Sequence, residues 1–197
     1  MNQIIYSKPL TLEEARAVYN AHAQHDFPDN ELKPFSLIEK LWNNGCYKGC
    51  GFYEKETGLL CAYAFTMADQ DTNMLLLDYF AVCKEMREKG YGSMAISLLK
   101  QDYTMWDGMI FEVEDDDTAI AEEERHIRKR RIAFYEKNGV VMTKGRSEAF
   151  GVDYKLMVMA LGSEAAGDRL EEKITSVYKK MLPQKVFAES FRIRNES

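Results

Sequence analysis

The stretch Leu75–Lys100, LLLDYFAVCKEMREKGYGSMAISLLK, constrains the fold of this chain more than any other. It opens as an apolar run, Leu75–Val82, broken only by Asp78 and about as long as a fully buried strand. A polar connector, Cys83–Lys89, follows. Gly90-Tyr91-Gly92-Ser93 then leads into a helical pattern that keeps Met94, Leu98 and Leu99 on one side. The order is therefore strand, glycine-rich turn, helix start, and that order has a chemical use. The first amides of a helix lack partners inside it, and the macrodipole leaves partial positive charge there. A phosphate docks on such amides where no side chain blocks the approach, and glycine clears the way. Arg87 and Lys89, just before the turn, add cationic reach.

The spacing Arg87-x-x-Gly90-x-Gly92 is not the Gly-x-Gly-x-x-Gly of a dinucleotide fingerprint, and the Lys-Ser/Thr of a Walker loop is missing. It resembles the pyrophosphate loop of the GNAT family, the acetyl-CoA-dependent N-acetyltransferases. There, a strand ending in an aliphatic residue is followed about five residues on by Arg/Gln-x-x-Gly-x-Gly/Ala; Val82 and Arg87 have that separation. The resemblance implies that Arg87, Glu88, Lys89, Gly90, Tyr91, Gly92 and Ser93 hold the diphosphate of acetyl-CoA, which serves as acyl donor. It also implies a mixed α/β (α+β) acyltransferase fold. That fold has a mostly antiparallel, twisted central sheet of about seven strands, helices on both faces, and a splay between strands 4 and 5. The pantetheine arm lies along that splay and pairs with strand backbone as an added strand would, so Phe80, Ala81 and Val82 are cofactor-binding by position.

Length and charge narrow the partners. At 197 residues the chain fits one acetyltransferase domain, 1–162, with a core large enough to stand without staples. Residues 163–197 read as a helix and tail packed on that domain or on a second copy, so a homodimer is open. A net charge of −6 argues against generic nucleic-acid binding and suits a cationic partner. No apolar run approaches the ~20 residues of a membrane span, and Met1-Asn2-Gln3 does not open a signal peptide. The four cysteines, Cys46, Cys50, Cys61 and Cys83, offer one close pair without a match, and His22-x-x-His25 lacks a third ligand. The expectation is reduced thiols, no metal and a cytoplasmic protein.

Along the chain, Ile4-Ile5-Tyr6 reads as a first strand that Pro9 stops. Thr11-x-x-Glu14 and Ser36-x-x-Glu39 read as capping boxes opening two helices, the first running to about His22 and the second stopping at Gly45. Between them Phe27–Pro34 is either a substrate lid or a plain connector. Cys50–Glu54 and Leu59–Ala68 flank a hairpin turn and hand on to Met74–Val82. After the helix Gly90–Tyr103 comes a strand with two carboxylates, Met109–Glu114, then acidic and basic runs whose order suits a helix dipole. Gly139–Thr143 and Tyr154–Leu161 read as the last two main strands joined by a long connection, Lys144–Asp153. Leu170, Ile174, Val177, Tyr178 and Met181 have helical spacing, and Val186–Arg194 is a candidate edge strand.

The segment Phe134-Tyr135-Glu136-Lys137-Asn138-Gly139 carries a second resemblance to the GNAT family, whose helix commonly ends Leu-Tyr-Glu-Lys-x-Gly. That likeness makes Tyr135 the acid that protonates the departing thiolate. Seven residues before the tyrosine the family often has a cofactor-touching Asn; this chain has Arg128, so that contact does not carry over. Between Glu112 and Tyr135 the chain is also about a dozen residues longer than in many relatives. Phe111-Glu112-Val113 resembles the strand in which some members place a catalytic Glu, making Glu112 the base. Glu114, on the same strand face by period two, and Asp78 are alternatives. A base is needed because an amine of pKa near 10.4 is neutral in only about one molecule in 2,500 at pH 7, a deficit of roughly 4.6 kcal/mol. The expected activity is acetyl transfer from acetyl-CoA to a primary amine by direct attack, on a small-molecule or peptide acceptor the sequence does not identify. The alternative is a non-catalytic acyl-CoA-binding or regulatory domain.

Overall fold

The computed structural model describes residues 4–28 and 31–194. The lead-in Met1-Asn2-Gln3, the middle of the 27–34 connection at Asp29 and Asn30, and the last three residues of the tail lie outside the described residues. Eight strands form one sheet: β1 Ile5–Pro9, β2 Tyr47–Glu54, β3 Leu60–Asp69, β4 Met74–Val82, β5 Gly108–Glu114, β6 Val141–Ala149, β7 Val152–Ala160 and β8 Phe191–Arg194. Their order is β1-β2-β3-β4-β5-β7-β6-β8. The mixed α/β class is as expected, with eight strands in place of about seven. The contacts group into two compact units, Met1–Met67 with Leu77–Asp102, and Ala68–Leu76 with Tyr103–Ser197.

In the first unit β1, β2 and β3 pair antiparallel, from Ile5 opposite Glu54 to Tyr47 opposite Met67. Ile5, Ile38, Tyr47, Phe52, Tyr63 and Phe65 are wholly buried and make its core. Helix α1, Leu12–Val18, starts on the expected capping box. Glu14 N–H donates to Thr11 Oγ1 at 3.2 Å, and Thr11 N–H donates to Glu14 Oε2 at 2.8 Å. The helix does not stop at His22: it widens into a π turn, Tyr19–Ala23, and closes with the single turn α2, Gln24–Asp26. The second capping box is not made. Helix α3, Phe35–Asn43, begins after Pro34 without a side-chain cap, and the Glu39 carboxylate accepts from Arg16 at 2.7 Å instead. The 9-residue α3 buries Phe35, Ile38 and Leu41. Helix α4, Tyr91–Asp102, follows β4 and buries Ala95, Ile96, Leu98 and Leu99.

The second unit contains the opening residues of β4, Met74–Leu76, which run parallel to β5. There β5, β7, β6 and β8 form an antiparallel run. The expected long connection Lys144–Asp153 is strand on both sides. β6 and β7 meet in a two-residue hairpin at Phe150-Gly151, where both φ angles are positive, +53° and +80°, as a turn matched to strand twist requires. Polar residues that read as loop instead face partners far along the chain, with Glu148 paired to Arg192 and Arg194 of β8. Helix α5 spans Glu122–Lys137 and α6 spans Leu170–Met181. Residues Val186–Ser190, expected in an edge strand, belong to a helix, α7 Gln184–Ser190, and only Phe191–Arg194 pair with β6. The α6 stripe Leu170, Ile174, Val177, Tyr178 and Met181 is buried within one chain, so it does not need a second copy to cover it. Among the described residues no helix is long and apolar enough to cross a membrane.

Candidate active site

The phosphate-loop candidates lie in the first unit. β4 is buried at Leu77 and Tyr79 and then opens, leaving Phe80, Ala81 and Val82 half-buried. A short 3-10 turn, Lys84–Met86, leads out of it. Glu88 and Gly90 both take left-handed backbone angles, φ +64° and +83°. At Gly90 that conformation costs nothing, whereas a side chain there is strained. The first bond tying α4 to the turn is Met94 N–H to the Gly90 carbonyl, at 3.3 Å. Among the described residues no backbone carbonyl accepts from the amides of Tyr91, Gly92 or Ser93. Those three amides, at the positive end of a 12-residue helix, are donors suited to a diphosphate.

Side chains around the turn are engaged with their neighbours. Arg87 donates Nε–H to the Val82 carbonyl at 3.1 Å and an Nη2–H to Asp26 Oδ1 at 2.7 Å. Asp26 Oδ2 accepts from the Tyr63 hydroxyl at 3.0 Å. Lys89 Nζ donates to the Glu85 carbonyl at 2.9 Å. Tyr91 turns its ring inward and donates its hydroxyl to Glu54; that bond, with some burial, pushes its pKa up to about 12. Tyr91 thus offers its amide rather than its side chain. Asp26, read in the sequence only as part of a break, is the residue that fixes Arg87, and no local pattern marks it.

Asp78 is also committed. Its buried carboxylate accepts from Lys33 Nζ at 2.7 Å and from the Tyr47 hydroxyl. Lys33 N–H donates to Tyr79 Oη at 2.8 Å, and that hydroxyl donates to the Glu31 carbonyl at 2.9 Å. Phe27 meets the Tyr79 ring edge-on, with centroids 4.9 Å apart. The described ends of the 27–34 connection are therefore fastened to β4.

The acid and base candidates lie in the second unit. Tyr135, near the end of α5, packs edge-on against Phe111 of β5, with ring centroids 5.0 Å apart. Burial pushes its hydroxyl up to about 12, against a smaller lowering by Arg131. Among the described residues no group is hydrogen-bonded to that hydroxyl. The next strand residue, Glu112, leaves the opposite side of β5, as alternation requires. Its Oε1 accepts from Ser147 Oγ of β6 at 2.7 Å, and its Oε2 accepts from the Tyr178 hydroxyl of α6 at 2.7 Å. Tyr135 and Glu112 therefore stand in separate surroundings. Glu114, the alternative base, is ion-paired to Arg131 at 2.5 Å and Arg128 at 3.2 Å. Arg128, standing where relatives carry Asn, is further tied to Glu124 at 2.6 Å and the Asp115 carbonyl at 2.6 Å.

Asp115, Asp116 and Asp117 are the one group of metal-capable side chains among the described residues. Its occupant is already present: Lys155 Nζ lies 3.2, 2.6 and 2.7 Å from the three carboxylates in turn. The four cysteines are free thiols, three of them buried. Ser147 and Tyr178 were not visible as site residues in the sequence. Tyr178 reads there as one more member of an apolar stripe, and nothing local reveals where its hydroxyl points.

No family model and no curated protein matches the sequence. Solved structures do match. A protein of Bacteroides thetaiotaomicron assigned to the GNAT family of acetyltransferases superposes with a TM-score of 0.64 at 19% identity, covering 86% of this chain and 93% of its own. A variant of the spermidine N-acetyltransferase of Vibrio cholerae superposes with a TM-score of 0.60 at 14% identity, over 86% and 100%. That enzyme in complex with CoA and spermine gives 0.60 at 12% identity, over 82% and 98%. With strand order, turn and helix as described, this chain has the fold of the GNAT acetyltransferases.

Proposed function

We propose that this chain is a GNAT-family N-acetyltransferase that moves the acetyl group of acetyl-CoA to a primary amine by direct attack. The observation that carries the reading is the trio of amides at Tyr91, Gly92 and Ser93, from which no backbone carbonyl among the described residues accepts, set behind a left-handed Gly90 on the turn out of β4. Diphosphate seats there, with Arg87 turning toward it, and the partly buried strand end Phe80, Ala81 and Val82 pairs with the pantetheine amides. A matching structure holds CoA and spermine, which supports both the donor and a cationic acceptor for a chain of net charge −6.

In the transfer, the amine nitrogen bonds to the thioester carbonyl carbon and the carbon–sulfur bond breaks. Glu112 takes the ammonium proton, directly or through water, a step worth ~10²–10⁴ in rate. Tyr135, protonated throughout the neutral range, gives its proton to the leaving sulfur. Glu112 is taken as the base on its resemblance to the strand carboxylate of some family members; Asp78 and Glu114 are each matched to a cation.

The test is thiol release from acetyl-CoA across a panel of polyamines, aminoglycosides, small amines and peptide N-termini, with Arg87→Ala alongside. Amine-dependent release for at least one class is expected. Release equal to blank throughout, with CoA binding intact, would overturn the enzymatic reading in favour of a binding domain.

A further inference from the structure

The Glu112 carboxylate is held at both oxygens, and one of the two donors comes from far outside the strand and helix that carry the candidate chemistry. Tyr178 lies 66 residues on, in α6. Its hydroxyl donates to Oε2 at 2.7 Å while Ser147 Oγ donates to Oε1 at 2.7 Å. A hydroxyl donor on each oxygen fixes the rotation of the carboxylate plane. Hydrogen bonds to the charged form also favour ionisation, which a base at neutral pH requires.

The donors themselves are rigid. Tyr178 is buried and stacks on Phe191 with centroids 4.1 Å apart and planes at 19°. Phe191 stacks in turn on Phe187 at 5.6 Å. Ser147 is fully buried in β6, its backbone opposite Tyr154 of β7 on one side and Ile193 of β8 on the other. A tyrosine at this place in an otherwise apolar stripe is more than packing needs, since phenylalanine would fill the same space.

We propose that Tyr178, assisted by Ser147, is a positioning residue: it aims the Glu112 carboxylate and keeps it ionised, so that the C-terminal segment completes the machinery for amine deprotonation. This rests on Glu112 as base under the proposed function. Tyr178→Phe keeps the ring and removes the hydroxyl that donates to Glu112. The apparent pKa on the acid limb of the kcat profile should then rise by about one unit, kcat on the plateau above that limb should fall severalfold through lost aim, and KM for acetyl-CoA should hold. Ser147→Ala should move the limb the same way by less, and it decides the matter if Tyr178→Phe fails to fold. An acid limb unmoved in both variants, whatever the change in Tm, would leave Tyr178 a structural residue and end the proposal. Glu112→Gln separates the two levels. If that variant keeps full turnover, the base assignment itself falls and the positioning role with it; if it is inactive while the limb stays put in the other two, only the positioning role falls.

Discussion

Between Arg87 and Ser93 the groups left for a ligand belong to the main chain, and the side chains around them are spent on neighbours: Arg87 on Asp26, Lys89 on the Glu85 carbonyl, Tyr91 on Glu54. Around β5 the reverse holds. Every β5 backbone position from Gly108 to Glu114 is in register with β7, and what remains to act is side chain, Glu112 between two hydroxyls and Tyr135 against Phe111. A site made of backbone should tolerate side-chain changes and fail when the dihedral angles change. A site made of side chains should fail one functional group at a time.

Removing a single oxygen from the side-chain region should therefore give the largest effect. In Tyr135→Phe the ring and its contact with Phe111 remain, and what is lost is the hydroxyl proposed to protonate the departing sulfur. We expect kcat to drop by ~10²-fold or more, with KM for acetyl-CoA within about twofold, read by thiol release under saturating amine. Full turnover in this variant would show that the thiolate leaves unassisted, and the contrast between the two regions would lose its second half.

In the main-chain region the equivalent blow is Gly90→Val. At φ +83° a β-branched side chain is strained, so the turn must shift and the three amides move with it. Acetyl-CoA at 100 times its dissociation constant should stabilise the unaltered protein by about 2.7 kcal/mol. We expect that stabilisation to vanish in Gly90→Val while the variant alone still melts cooperatively. If Gly90→Val keeps the full ligand-induced shift in Tm, the diphosphate is not held by these amides.

The same division explains what could be read from the sequence. Backbone requirements leave local marks: Gly90 and Gly92 at fixed distance from Val82, Thr11 three residues before Glu14, and the Tyr135–Gly139 run all sit within a few residues of the feature they specify. Side-chain networks leave none. Ser36 and Glu39 have the spacing of a capping box, yet Glu39 is drawn away by Arg16, 23 residues earlier. Lys144–Asp153 has the composition of a loop, yet forms strand because Glu148 meets Arg192 and Arg194 and Ser147 meets Glu112. Tyr178 has the spacing of a core residue and also a hydroxyl with a destination. In each case the deciding partner lies well beyond the window in which periodicity or capping can be seen.

Arg87 sits on the border between the two kinds of site, and its removal should have the smallest effect. Its guanidinium is about half exposed, so water screens much of its attraction for a phosphate, and it is already neutralised by Asp26 at 2.7 Å. To meet a diphosphate it must share or leave that carboxylate, so part of any gain replaces an existing ion pair. Its Nε–H to the Val82 carbonyl, at 3.1 Å, does something different: it ties the turn back to the end of β4 and so helps hold the amides in place. Arg87→Ala should raise KM for acetyl-CoA severalfold and leave kcat nearly unchanged, since the group meets the donor equally in ground and transition states. Arg87→Lys should recover little, because an ammonium cannot reach the carbonyl and a phosphate with the same planar fork. A loss in Arg87→Ala as large as that in Gly90→Val would mean that cofactor affinity here comes from a side chain after all, and that the amides at the start of α4 only give the turn its shape.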